Sequence, residues 1–199
     1  LYPIVDGTYY TYDELYNKIK AKQTDKDDKL VILYASSKDS QHSYIEAAKA
    51  KGYEVLLLDS PIVSHLIQKL ESTKENISFV RVDSDHVDNL IKKEESTVSK
   101  LSDDEKKSLE TVLKQVVPSE KFMVQLEAMD SNSAPFMITQ PEFMRRMKEM
   151  QQTGGGGMFG MGNMPEMYNL IVNTNHDLLG EILNTKTKKK QERLINQSL

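Results

Sequence analysis

A chain of 199 residues, 38% hydrophobic and 28% charged, can bury one or two cores of ordinary domain size, and its formal charge of -4 argues against a general nucleic-acid binder, which would carry a basic face. No apolar run nears the roughly 18 residues of a membrane-spanning helix, and no secretory signal is visible. The absence of cysteine excludes a disulfide scaffold and thiol chemistry and fits a reducing compartment.

Thr11 and Glu14 stand at capping-box spacing before a short helix with Leu15 and Ile19 on one face. Residues 29–35, KLVILYA, form a continuous apolar run that predicts a buried strand. Ser40 is placed to cap a helix running to about Lys51, with Gly52 as its stop. Residues 53–58 are a second strand. Ser60 and Pro61 open a second helix with Ile62, His65, Leu66 and Leu70 near one stripe. Residues 77–82 are a third strand, and Val87, Leu90 and Ile91 mark a helical turn or two. Apolar strands alternating with helices predict a βαβαβ unit, a small three-stranded parallel sheet covered on both faces. The first strand-to-helix turn, Ser36-Ser37-Lys38-Asp39-Ser40, contains no glycine, which excludes the dinucleotide fingerprint and the P-loop. Asp83, Asp85, His86 and Asp88 cluster in sequence, but at a spacing that matches no cation-binding loop; a solvated, helix-capping turn is the expectation.

From Lys92 to Asp104 the chain turns polar, which places a domain boundary there: an α/β unit over 1–95 and an α+β unit over 96–199. Ser102 and Glu105 form another capping box, and Leu109, Val112, Leu113 and Val116 carry a helix to Pro118. Phe122, Val124 and Leu126 alternate with Met123 and Gln125, predicting a strand with one buried face. Residues 130–133 make a turn, 134–138 a second strand and 167–172 a third, so the sheet is antiparallel or mixed. Asn173-Thr174-Asn175 is placed to cap a helix holding Leu178, Leu179, Ile182 and Leu183. After Lys186 to Lys190 a last helix begins, with Leu194, Ile195 and Leu199. The lysine run reads as a solvated helix start.

Between those last two strands lies the most unusual stretch, residues 141–168, with seven of the ten methionines and six of the nine glycines. Thr139 and Glu142 have capping-box spacing, Pro141 suits a first turn, and Phe143, Met144, Met147 and Met150 share one helical face. Arg145, Arg146, Lys148 and Glu149 take the other. Gly154 to Gly157 stop the helix, and Met158, Met161, Met164 and Met167 then recur every third residue. Methionine is pliable and polarisable, so a methionine face beside a glycine tether suits a promiscuous apolar binding site. The same stripe is more often ordinary core, and pattern alone favours that reading; the glycine run shifts the balance back, because a packed core helix rarely needs so loose an attachment.

Chemistry is sparse. None of His42, His65, His86 and His176 stands in a zinc-binding spacing, no serine sits in a GxSxG elbow, and the carboxylates are scattered among lysines as on solvated helix faces. Neither catalysis nor a bound metal or cofactor is expected within these residues.

Three stretches together resemble the ninety-kilodalton heat-shock chaperones, the heat-shock protein 90 family, in its bacterial branch. Residues 52–62, GYEVLLLDSPI, are similar to the strand and helix start that close the family's middle domain, although Val63-Ser64 stand where Asp-Glu is usual. Residues 130–138, DSNSAPFMI, leading into Phe143-Met144-Arg145-Arg146-Met147, resemble the Ser-Pro-Ala strand and amphipathic methionine helix of its C-terminal domain. Residues 170–176, LIVNTNH, resemble the family's Asn-Pro-x-His turn with Thr174 in place of proline. The glycine-methionine insert from Gly154 to Met164 is longer than the loop usual there.

The resemblance implies a fragment of a cytoplasmic, dimeric, ATP-driven chaperone, an expectation that the start at Leu1 rather than Met supports. This chain would be the end of the middle domain and most of the dimerisation domain, with ATP and magnesium bound outside it. It implies client contacts at Phe143, Met144, Met147 and Met150, and at His65 and Gln68 on the middle-domain helix. It also implies a dimer contact through the last helix at Lys189, Arg193, Leu194, Ile195 and Leu199. The implied partners are partly unfolded proteins and a second copy of the chain, with neither nucleic acid nor membrane. Two alternatives stay open: a methionine-rich signal-sequence-binding domain, which would be all-helical, and a small α/β ligand-binding enzyme domain.

Overall fold

The computed structural model describes residues 1–92, 97–153, 167–185 and 187–198, and the side chains of 150–153 lie outside the description. The expectations placed on Gly154 to Met164, and on Met150 and Leu199 as side chains, therefore fall outside the described residues. In chain order the elements are β1 Tyr2–Pro3, β2 Tyr9–Tyr10, α1 Tyr12–Ile19, β3 Leu30–Ala35, α2 His42–Ala50, β4 Val55–Leu57, α3 Val63–Thr73, β5 Ile77–Arg81 and α4 Val87–Leu90. They continue with α5 Asp103–Val116, β6 Phe122–Glu127, β7 Phe136–Thr139, α6 Glu142–Thr153, β8 Tyr168–Asn173, α7 Asp177–Asn184 and α8 Lys188–Ser198. They gather into two compact units. One holds Leu1–Glu94 with Pro141–Gly160, the other Glu95–Gln140 with Met161–Leu199. Helix α6 is thus grouped with the α/β half, although in sequence it lies between two strands of the other unit.

In the first unit β4-β3-β5 form a parallel sheet in that order. All six residues of β3 are buried, because helices cover both faces and no position of a central strand reaches water. Two features escaped sequence reasoning: the β1/β2 hairpin, and the antiparallel bridge of Ile4 to Leu56 that extends the sheet beyond β4. Two-residue strands are too short for periodicity to register. Helix α1 carries its complete Thr11–Glu14 capping box, and Gly52, at φ +74, closes α2 in the left-handed region that glycine adopts without strain.

Other start signals fail. Ser40 does not cap α2. The N-cap is Gln41, whose side chain instead accepts hydrogen bonds from the backbone N–H groups of Ser36 and Ser37 at 2.8 and 3.0 Å. Helix α3 begins at Val63, not Ser60, with no side-chain cap. His86, 2% exposed, caps α4 by accepting from the Asp88 N–H at its Nδ1, 3.3 Å away, so the turn caps a helix as expected while this residue is buried rather than solvated.

In the second unit β6-β8-β7 make a mixed sheet, β6 parallel and β7 antiparallel to β8. Leu109 and Leu113 of α5, Leu170 and Val172 of β8, Leu179 and Ile182 of α7 and Ile195 of α8 form its core. Ser102 and Glu105 form their capping box. The cap of α7 is His176, whose Nδ1 accepts from the Leu178 N–H at 3.1 Å, and not the preceding Asn-Thr-Asn. Those residues are buried and hold the strand ends together: Asn173 Nδ2 donates to the Asp130 carbonyl, and Asn175 Nδ2 donates to those of Val98 and Met129. Amide side chains here satisfy loop backbone that would otherwise be buried unpaired.

Candidate functional site

On α6, Glu142, Arg145, Arg146 and Glu149 fall on one face by i, i+3, i+4 and i+7 spacing. That face is the one packed on the α/β unit. Arg145 is 4% exposed. Its Nη2 donates to the Tyr34 hydroxyl and, at 2.5 Å, to Glu142, and its Nη1 donates to Glu149. Tyr34 OH donates to Glu142 at 3.1 Å, and the guanidinium lies 5.7 Å from the Tyr34 ring centre. Arg146 spans three partners: Glu142 at 2.7 Å, Glu71 of α3 at 2.9 Å and the Phe79 carbonyl of β5 at 2.5 Å. Glu149 accepts from the Ser64 hydroxyl of α3 and lies 3.7 Å from Arg81, which itself forks onto Asp83 at 2.5 and 2.9 Å.

The electrostatics of this cluster support one another. Burial, reinforced by the Glu142 carboxylate, drives the Tyr34 hydroxyl far above its ordinary pKa, so it stays protonated and can donate. Burial works against the charge on Arg146, but hydrogen bonds to Glu71 and Glu142 outweigh it and hold the guanidinium charged. Burial also opposes ionisation of Glu149; the Ser64 hydroxyl and the Arg145 and Arg81 charges overcome it and depress the carboxyl. The network is incompletely satisfied, since Arg145 Nε and Glu142 Oε2 are buried without a hydrogen-bond partner among the described residues. By sequence, Arg145, Arg146 and Glu149 take the face opposite the methionines and the carboxylates read as those of solvated helix faces; the carboxylates of α6 are instead half-buried around the buried Arg145. The cause is simple: opposite charges at helical spacing neutralise one another and can be covered together. The proposed Thr139–Glu142 capping box is replaced as well, with the Glu142 carboxylate drawn into the arginine network.

With that face buried, Phe143 is 71% exposed, Lys148 is exposed, and Met144 and Met147 are half-buried. On α3, His65 and Gln68 are exposed, next to Ile62 at 64% and Leu66 at 45% exposure. Of the expected dimer residues on α8, Lys189 and Arg193 are exposed, Leu194 is half-buried, and Ile195 is wholly buried in its own unit's core. Ile195 therefore supports α8 from inside.

A cavity of about 250 Å3 opens at the carboxyl ends of β3 and β4, lined in part by Tyr34, Ser36, Asp59, Ser60, Arg145 and Glu149. This is the crevice where parallel sheets hold ligands, because the crossovers after β3 and β4 leave on opposite faces. The backbone donors of Ser36 and Ser37 that could cradle a phosphate there are occupied by Gln41 Oε1. No local signal singles out Gln41, since glutamine is not a favoured turn or N-cap residue.

Over residues 8–199 the chain matches the family model described as Hsp90 protein. The chain belongs to the Hsp90 family. It is 45% identical over 191 residues to the chaperone protein htpG of Bacteroides fragilis (strain YCH46), covering 94% of this chain and 28% of that one. Identity is 44% over 186 residues to the HtpG chaperone of Bacteroides thetaiotaomicron, with 92% of this chain and 27% of that one covered. It is 40% over 186 residues to that of Porphyromonas gingivalis (strain ATCC 33277), with the same coverage. This Hsp90 chain thus spans about 28% of the length of the curated relatives it matches. Among its described residues, no helix is long and apolar enough to cross a membrane.

Proposed function

We propose that this Hsp90 chain is a segment of an ATP-driven, cytoplasmic stress-response chaperone and that it holds partly unfolded clients against the apolar side of α6. One observation carries the reading: Phe143 is 71% exposed while Arg145, two residues on, is 4% exposed. A soluble protein that turns an apolar side chain outward and buries a cation beneath it has inverted the usual order of burial, and such patches mark binding surfaces. Met144 and Met147 add adaptable area beside Phe143, as binding many unrelated sequences requires. His65 and Gln68 of α3, with the exposed Ile62 and Leu66 near them in sequence, supply a second contact. The exposed residues of α8, Lys189 and Arg193, contribute to a homodimer contact in the full-length protein, where ATP and magnesium bind outside this segment. Two three-stranded sheets oppose an all-helical signal-sequence receptor.

The test is the variant Met144→Ser, Met147→Ser, Met150→Ser, assayed for binding to a permanently unfolded, fluorescently labelled polypeptide. Affinity is expected to fall while the circular dichroism spectrum and melting temperature hold. A variant that unfolds identifies the methionines as core and overturns the reading.

A further inference from the structure

We infer that Arg145 and Arg146 are positioning residues that latch α6 to the α/β unit by its charged face, and that this latch keeps the Phe143–Met147 side formed and turned outward. The inference rests on the client-binding reading and adds what controls that surface. Three observations lead to it.

First, α6 has 12 residues, a length at which an isolated helix is marginal in water, so its helicity depends on what it packs against. Second, its contacts to the α/β unit run through polar atoms. Arg145 reaches Tyr34 of β3, Arg146 reaches Glu71 and the Phe79 carbonyl, and Glu149 reaches Ser64 and Arg81. Phe143, by contrast, is mostly in water. Third, the outer part of the network is open to solvent and therefore adjustable. The side chains of Arg146 and Glu71 keep 21% and 25% of their exposure and that of Glu149 keeps 34%, against 5% for Arg145. A helix held by apolar contact would tighten in salt. One held by partly exposed ion pairs loosens, because salt screens them.

The latch thus resolves a conflict built into the site. An apolar face that is to remain available cannot also supply the adhesion that keeps its helix in place, so adhesion is assigned to the opposite face. Tyr34 suits the innermost contact. Its hydroxyl stays protonated at any physiological pH, donates to Glu142 and accepts from Arg145, and so joins the two ends of the helix's first turn to the central strand.

The test uses the 199-residue chain with two variants that leave the apolar face untouched. In Glu71→Gln the amide oxygen still accepts from the Phe79 N–H, which Glu71 binds at 2.7 Å, so the α/β unit keeps its hydrogen bond while the charge opposite Arg146 is lost. In Arg145→Met a buried guanidinium is replaced by a side chain that fills space and pairs with nothing. Amide exchange of α6 is followed by mass spectrometry, and binding of reduced, carboxymethylated lactalbumin by fluorescence anisotropy, each at about 50 mM and about 500 mM salt. Expected for Glu71→Gln is a several-fold loss of α6 protection with a matching fall in affinity and a flatter salt dependence. Expected for Arg145→Met is a loss on the order of a hundredfold in protection. Protection of β3 and β5 is unchanged in Glu71→Gln. Unchanged α6 protection in both variants overturns the latch whatever the binding shows. Lost protection with full binding also overturns it, since the outward face would not then need the latch. The client-binding reading itself is decided separately by the methionine variant, in which the latch residues are intact.

Discussion

Helices α5 and α6 carry the same kind of signal and end in opposite arrangements. Both alternate an apolar with a charged face at helical spacing. Helix α5 buries Leu109 and Leu113 completely and leaves Asp103, Asp104, Glu105 and Lys107 to solvent. Helix α6 buries Arg145 and leaves Phe143 in water. Amphipathicity shows that a helix has two faces; which face is covered depends on the partner surface. The core of the second unit offers α5 the apolar sides of β6, α7 and α8. The α/β unit offers α6 a tyrosine hydroxyl, the Glu71 carboxylate, an arginine, a serine and a strand carbonyl, and a charged face meets that set better than methionines would.

The comparison breaks most readily at Arg145. Its replacement by methionine leaves Glu142 with Arg146 alone and Glu149 with Arg81 alone and should cost roughly 3 kcal/mol of α6 docking, a loss on the order of a hundredfold in protection, read from amide exchange confined to that helix. The counterpart on α5 is Leu113→Ala, expected to cost roughly 2–5 kcal/mol through the cavity it leaves. That loss should appear as a lower urea midpoint for the second unit as a whole, because Leu113 lies in its common core. If Leu113→Ala instead loosened α5 alone, the contrast between a helix that builds a core and one that is latched onto it would fail.

A third effect separates the units by pH. Burial holds the His86 imidazole below its ordinary pKa, against the opposing pull of Asp88 and Asp85, and its neutral Nδ1 is the cap of α4. Unfolding lets the ring take up a proton, so this contribution is fully present above roughly pH 6.5 and is lost as pH falls toward the lower, folded value. Stability of the α/β unit should therefore decline as pH falls below roughly 6.5, and His86→Asn, which keeps a capping acceptor without a titrating ring, should flatten that decline. An unaltered pH profile in the variant would place the dependence elsewhere. The depressed carboxyl of Glu149 acts in a separate window: its pairing is retained through neutral pH and lost only below the usual carboxylate range. The smallest stability effect belongs to Phe143→Ser, within about 0.5 kcal/mol, since the ring is mostly in water. Its influence on unfolded-polypeptide binding should nevertheless exceed that of any substitution on α5. A marked drop in melting temperature would show the ring to be structural.

The parts of the fold legible in sequence were those set by local periodicity and by residues that satisfy their own neighbours. The buried run of β3 and the capping boxes at Thr11 and Ser102 depend on a few adjacent residues, and each forms; β6 forms as a strand with Phe122, Val124 and Leu126 against the core, but they are half-buried rather than buried as the alternation predicted. The start signals at Ser40, Thr139 and Asn175 failed for different reasons. Ser40 lost the position to Gln41, whose side chain serves the turn after β3, Glu142 pairs with Arg145 and Arg146 of its own helix, and Asn175 serves the distant carbonyls of Val98 and Met129. That the capping acceptors are the imidazoles of His86 and His176 escaped because histidine is not among the residues that favour the position. Of the candidate site, the apolar residues were visible as a stripe, and their family resemblance assigned them a role. The network that holds them was not visible, since Tyr34 and Arg145 are separated by 111 residues.

By itself the sequence determined the composition of each helix face, the parallel character of the first sheet implied by strands alternating with helices, the absence of a glycine-rich phosphate loop and the family to which the motifs belong. Only the tertiary structure decided that α6 turns its arginines inward and its phenylalanine outward. The physical reason is that a buried charge is tolerable only where partners of opposite sign and matching geometry converge, and those partners come from β3, α3 and β5, elements that no local pattern around residue 145 could specify.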